Sequence, residues 1–250
     1  MNDITSRAAS LLARSKSCGV LTGAGISVES GIPAFRGYQG LWEKYDPIEF
    51  AHISAFQRDP GKVWEMLADM WERLLIAEPN PAHIALAKLE KRGIVSRVIT
   101  QNIDGLHQRA GSEGVIEYHG NAWTLLCLDC RKIYKTAEKA KRGALPLCTC
   151  GSVLKPDVVF FGEQIPREPA LLALNVARKA DLFMVVGISG TVAPANELPF
   201  IALERKVPVI IINPERSDLV DYPGTLWIEG GAAAALTEII DILEGKRDID

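Results

Sequence analysis

Five short apolar runs, at 19–22, 95–100, 115–118, 182–187 and 209–213, punctuate a chain that is otherwise rich in helical periodicity. That alternation is the tightest constraint on its fold. Ile4, Ala8, Leu11 and Leu12 repeat at helical spacing in 4–15, and further helices are predicted over 60–76, 81–91, 168–179, 195–204 and 233–244. A strand that is apolar at every position needs cover on both faces, and strands joined through helices run parallel. The expected class is therefore α/β, with a parallel sheet between two helical layers. Two stretches break the rhythm. Residues 38–76 are helical and aromatic-rich with no strand between, and 123–155 hold four of the five cysteines and several lysines. Both read as excursions that together build a smaller lobe.

Cys127 and Cys130, then Cys148 and Cys150, form two close pairs with 17 residues between the inner two. Two such pairs can wrap one tetrahedral Zn²⁺. Four thiolates leave no open coordination position, so that metal would be structural and the chemistry must lie elsewhere. The first apolar run passes directly into Gly23-Ala24-Gly25-Ile26-Ser27. Strand, glycine turn and helix start together aim backbone N–H groups at a phosphate. Val28 stands where a dinucleotide fingerprint has its third glycine, and Pro33 limits the helix that follows to little more than a turn. The predicted organisation is a Rossmann-like, discontinuous nucleotide-binding domain from 1–37, 77–122 and 156–250. A small domain, a zinc ribbon plus a helical module, is inserted as 38–76 and 123–155.

Hydrophobic residues make up 48%, charged residues 24%, and the net charge is −3. Nothing there marks a general binder of nucleic acid or anionic membrane. The most apolar stretch, 182–195, is interrupted by glycine, serine and proline and is too short to span a bilayer. The first residues lack a secretory pattern, and metal-bound thiolates suit a reducing compartment, so a cytoplasmic location is expected. Cys18, outside the cluster, reads as a small buried hydrophobe.

At full length, 23–37 (Gly-Ala-Gly-Ile-Ser-Val-Glu-Ser-Gly-Ile-Pro-Ala-Phe-Arg-Gly) resembles the signature of the sirtuin family of NAD-dependent protein deacylases. Gln101-Asn102-Ile103-Asp104 and Tyr118-His119-Gly120 are similar to two further family motifs. The cysteines, Phe161-Gly162-Glu163, Gly187-Ile188-Ser189, Asn213-Pro214-Glu215 and Gly230-Gly231-Ala232 follow in family order. The resemblance implies that Gly23, Ala24, Gly25 and Ser27 surround the NAD pyrophosphate and ribose. It implies a mobile loop carrying Phe35 and Arg36, ribose contacts from Gln101 and Asn102 beside Ile103, and Asp104 on the nicotinamide carboxamide. Gly187, Ser189, Asn213, Pro214, Glu215 and Ala232 would follow the adenosine half.

Among the four histidines, His52 and His83 read as structural residues of helical segments, and His107 as support for the Asp104 loop. His119 ends an apolar run and precedes a glycine, and an imidazole titrates near the working pH. The resemblance makes His119, with Asn102, catalytic. The acyl oxygen of a modified lysine attacks the anomeric carbon of NAD, nicotinamide leaves, and the histidine activates a ribose hydroxyl. Products are free lysine, nicotinamide and O-acyl-ADP-ribose, so NAD is consumed. A neutral acyl-lysine can enter an apolar tunnel that would penalise Lys⁺. Val159, Phe160 and Phe161 are candidate walls, Phe160 equally suiting a buried strand. Gly162, Glu163 and Val192 would flank the peptide backbone.

Family members that remove acidic acyl groups carry a Tyr-x-x-Arg pair that matches Leu67 and Met70 here. Neither residue can bind a second carboxylate, so acetyl or longer apolar acyl groups are expected and succinyl is not. Two departures stand out. Cys148-Thr149-Cys150 is one residue tighter than the usual knuckle, and Ile188 replaces a small hydroxylated residue. If that position touches the adenine ribose, NAD affinity would be weakened. Competing readings are an NAD-dependent dehydrogenase with a zinc ribbon, an ADP-ribosyltransferase on the same fold, and a nucleic-acid-binding ribbon. The expected partners are acyl-lysine proteins or peptides, with no specific nucleic acid and no membrane.

Overall fold

The computed structural model describes residues 2–34, 40–141, 143–190 and 192–246. Its strands are β1 (Cys18–Thr22), β2 (Val95–Thr100), β3 (Val115–Glu117), β4 (Gly120–Leu126), β5 (Ile133–Lys135), β6 (Lys155–Val158), β7 (Leu182–Val186), β8 (Val209–Asn213) and β9 (Thr225–Glu229). Six of them form one sheet in the order β3-β2-β1-β7-β8-β9, with every neighbouring pair parallel. The three central strands β1, β7 and β8 are buried at every residue, as their unbroken apolar runs require. Successive residues serve opposite layers. Met184 packs with helices Asn2–Arg14, Pro81–Lys91 and Ala232–Leu243, whereas Phe183 and Val185 pack with Arg167–Lys179 and Leu198–Glu204.

Helix starts follow local chemistry. The Asp59 carboxylate accepts from Lys62 N–H ahead of Pro60–Ile76. Asn80 caps Pro81–Lys91, and His83 completes a capping box by accepting from Asn80 N–H. The segment after Gly23 is a 3₁₀ turn, Ala24–Ser30, which ends at Gly31 with φ +84°. The helix expected over 195–204 opens as a 3₁₀ turn, Ala195–Glu197, before the α-helical Leu198–Glu204. Pro199 lies in its first turn, where a missing N–H costs nothing.

The second sheet is antiparallel, in the order β5-β4-β6. Helix Pro60–Ile76 packs on it through Val63, Trp64 and Leu67 against Leu125, Cys127, Leu154 and Phe160, and Trp64 Nε1–H donates to Leu154 O at 2.9 Å. Helices Leu41–Lys44, Pro47–Phe50 and Ile53–Arg58 complete this small lobe. The chain enters it at Gly120, which has φ +75°, and where a Cβ would stand 1.9 Å from Asp157 O. Only glycine makes that turn. No helix among the described residues is long and apolar enough to cross a membrane.

Candidate active site

Most of the motif residues converge on one edge of the parallel sheet, because each follows the carboxyl end of a strand. Gly23 follows β1, Gln101 to Asp104 follow β2, and His119 comes just past β3. Gly187 follows β7, Asn213 ends β8, and Ala232 comes just past β9. Strand order reverses between β1 and β7, which is where such sheets open a ligand crevice. There Gly25 N–H donates to Gly187 O at 2.9 Å, and a Cβ on Gly25 would meet Gly187 Cα at 2.6 Å. A cleft of about 420 Å³ lies alongside, lined by Ala24, Ser27, Pro33, Met70, Asn102, Ile103 and Asp104 among others.

The polar wall of this cleft is a hydrogen-bonded network. Ser27 Oγ–H donates to Asp104 Oδ2 at 2.7 Å, and Asn102 Nδ2 donates to Ser27 Oγ at 3.1 Å and to Gly23 O at 3.0 Å. Asp104 Oδ1 accepts from Leu106 N–H at 2.9 Å. His83 Nδ1 accepts from Asn80 N–H, so its proton is on Nε2, which lies 3.4 Å from Ser27 Oγ. Behind this layer, Thr22 Oγ1–H donates to Thr100 Oγ1 at 2.9 Å, which leaves His107 Nε2–H to donate to Thr22 Oγ1 at 2.9 Å. The rings of His83 and His107 meet edge to face at 4.9 Å. His83 is thus part of the cleft's support rather than a residue of a helical segment alone. Its signal, a histidine three residues after a capping asparagine, is too local to reveal a partner 56 positions away at Ser27 or the ring of His107.

Burial drives His83 down to about 4, partly opposed by the Asp104 carboxylate, and burial followed by the neighbouring His83 drives His107 down to about 3. Both are neutral at pH 7. Their folded values lie below the unfolded value of about 6.5, so the unfolded chain takes up protons first. The stability they contribute is complete above that value and is lost as pH falls towards 4 and 3. Between pH 7 and pH 5 the loss should reach about 4 kcal/mol, at about 1.4 kcal/mol per unit below 6.5 for each of the two groups. Urea unfolding at the two pH values reads it, and His107→Gln should shrink the difference. Equal midpoints would contradict it.

His119 sits half-buried, and its Nδ1 lies 3.2 Å from Gln101 O. A carbonyl can only accept, so Nδ1 carries the proton and Nε2 keeps its lone pair. Burial lowers this imidazole below its ordinary range, and the Gln101 carbonyl resists that shift only in part. Gln101 Nε2 is buried with no partner among the described residues, a donor left for a ligand.

Asn213 Nδ2 donates to Glu215 O at 2.7 Å across Pro214, and Ala232 is buried at its helix start. Ser189 lies just beyond Gly187. Ile188 is buried in the apolar cluster with Ala195 and Leu198. Phe35 and Arg36 lie outside the described residues. Val192 O accepts from Asn196 N–H at 3.1 Å. Val159 N–H donates to His119 O at 2.9 Å, Phe161 is partly exposed beside Trp42, and Gly162 and Glu163 form a turn. Phe160 is core, edge to face with Phe56. Leu67 and Met70 face a second, largely apolar cavity of about 310 Å³ with Trp64, Trp71 and Val158, which shares Met70, Leu74 and Ile103 with the first.

The four cysteine sulfurs lie within 4.8 Å of one another, at 3.5 Å for Cys127–Cys150 and 3.4 Å for Cys130–Cys148. A tetrahedron with zinc–sulfur bonds of about 2.3 Å has sulfur edges of about 3.8 Å, so the donor set fits with a slight expansion. The tight Cys148-Thr149-Cys150 pair reaches the cluster, with Tyr134 Oη 3.2 Å from Cys148 Sγ as an outer support.

Comparison with known proteins agrees with this geometry. The Sir2 family matches residues 23–194. An NAD-dependent protein deacylase 2 of Archaeoglobus fulgidus is 49% identical over 99% of both chains. An NAD-dependent protein deacylase of Thermococcus kodakarensis is 46% identical over 93% of both. A solved Sir2 enzyme superposes with a TM-score of 0.92 at 48% identity, covering 99% of this chain and all of its own. A Sir2 homologue–NAD complex gives 0.90 at 40% identity, with 96% and 94% covered. A Sir2 complex with a deacetylated p53 peptide and 3′-O-acetyl-ADP-ribose gives 0.90 at 37%, with 94% and 97% covered. The chain belongs to the Sir2 family of NAD-dependent protein deacylases.

Proposed function

We propose that this deacylase spends NAD as acceptor for the acyl group of a modified lysine, with His119 as its proton acceptor. The observation that carries the reading is the Nδ1–H bond to Gln101 O, which leaves Nε2 as a free lone pair next to the strand end that carries Gln101 and Asn102. When bound, NAD supplies a sugar carbon with a cationic leaving group, so no catalytic metal is needed. The chain's residues position, exclude water and move one proton. Gly23, Ala24, Gly25 and Ser27 line the phosphate and ribose. Gln101 and Asn102 hold the ribose beside Ile103, and Asp104 faces the carboxamide. Gly187, Ser189, Asn213, Pro214, Glu215 and Ala232 bound the adenosine side. The buried orphan amide of Gln101 and the hydrogen-bonded Asn102–Ser27–Asp104 wall suit a polyhydroxyl ligand. Cys127, Cys130, Cys148 and Cys150 would hold one Zn²⁺ per chain, tying the two knuckles together with no open position.

NAD with an acetyl-lysine peptide, followed by mass detection, tests the reading. Free lysine peptide, nicotinamide and O-acetyl-ADP-ribose should appear in equal amounts. Bound NAD with an untouched peptide would overturn it. The same assay reads acyl choice. Among the described residues the cavity at Leu67 and Met70 is lined by no cationic side chain, so acetyl- and longer apolar acyl-lysines should turn over at least about tenfold faster than succinyl-lysine. Preferred succinyl turnover would contradict the assignment of these two residues.

A further inference from the structure

Lys155 lies on β6 with only 4% of its side chain exposed, a costly place for an ammonium without partners. Its three N–H bonds meet three acceptors: Pro156 O at 3.2 Å, Val158 O at 2.5 Å and Glu163 Oε2 at 2.9 Å. The ring of Phe160 covers the charge at 4.3 Å. Glu163 Oε2 also accepts from Phe160 N–H at 2.8 Å, while Glu163 N–H donates to Phe160 O at 3.0 Å. The remaining anchors of this segment run outward. Val159 N–H reaches His119 O, Phe161 N–H reaches Ala51 O, and Phe161 O accepts from Ile53 N–H.

We propose that Lys155 and Glu163 are positioning residues, a buried clasp that holds 159–163 in the shape that receives the acyl-lysine peptide. Glu163 then acts from inside the protein, through Lys155 and the Phe160 amide, and not by touching the substrate. An ammonium with all three donors committed fixes direction as well as distance, which an apolar pair of equal volume would not. The inference rests on the reading of Val159 and Phe161 as walls of the peptide site.

The test compares Lys155→Met, Glu163→Gln and the double variant with the unaltered enzyme. Three readouts are followed: peptide affinity (KM, and Kd by fluorescence anisotropy), NAD KM, and amide exchange of 156–163. Each single change should weaken peptide affinity about tenfold with NAD KM moved less than about twofold. The pH dependence set by His119 should stay in place, and exchange should quicken in 156–163. The double variant should cost less than the product of the singles, because it leaves no unpaired buried charge. Unchanged peptide affinity, with or without faster exchange, overturns the proposal. So does an equal rise in NAD KM. If the unaltered protein binds acyl-lysine peptide without deacylating it, the deacylase reading fails while the anisotropy and exchange arms still decide the clasp.

Discussion

Replacing His119 by alanine is expected to lower kcat for deacylation about a thousandfold while NAD still binds and the fold is kept. Among the described residues the side chain makes one hydrogen bond, to Gln101 O, and one edge-to-face contact, with the ring of its neighbour Tyr118, so its loss removes a base rather than a strut. His119→Gln should be as inactive, since an amide can donate to that carbonyl but has no basic nitrogen. The pH profile follows from the same contact. Turnover requires the neutral ring, so the rate rises with pH through its pKa and then levels. Burial places that pKa below the usual imidazole range, so the acid limb should fall below about pH 6.5 with a plateau across neutrality. Steady-state kinetics between pH 5 and 8 (about three decades of proton activity) would show it. Undiminished turnover in the alanine variant would remove His119 from the chemistry.

Stripping the metal should be the most damaging change to the fold. Freshly purified protein is expected to carry about one zinc per chain, and a strong chelator should melt the small sheet. Cys127 and Cys148 lie within the apolar cluster that joins β4 to helix Pro60–Ile76. Without the metal these sulfurs take up protons and lose the bonds that hold them about 3.5 Å apart. Cys127→Ala should therefore cost several kcal/mol and abolish peptide turnover. The parallel sheet has its own two apolar layers, so NAD binding should outlast the damage. Metal analysis, circular dichroism and NAD titration on one sample would separate these effects. A fully folded protein with negligible zinc would refute the assignment.

The parallel sheet was legible because its central strands are apolar without a break. Predicted 95–100 and 209–213 coincide with β2 and β8, and 182–187 overruns β7 by one residue. β9 escaped notice for the converse reason. Its apolar run, Leu226-Trp227-Ile228, is only three residues long between Thr225 and Glu229, and its burial alternates as on an edge strand. β4 to β6 were equally hidden. β5 has three residues, β4 begins at a glycine, and their pairing depends on contacts across the cysteine segment. At the site, His119 and the cysteines were readable from spacing and neighbours. The hydrogen-bonded set Ser27–His83–Asp104 was not, because three separate segments supply it and no local pattern links them. Glu163 could be singled out, but its buried partner Lys155 looked like any surface lysine.

The backbone leaves the parallel sheet at Glu117 and enters the small sheet one residue after His119, and its return at Val159 is bonded to the carbonyl of that same histidine. The proposed proton acceptor is therefore seated on the seam between the two halves of the molecule. Transplanting the cysteine-bearing half from one relative to another would reset the tilt of this imidazole along with the borrowed surface. Chimeras joined at that point should lose rate before they lose affinity for peptide, and exchanges intended to alter substrate choice are better cut elsewhere.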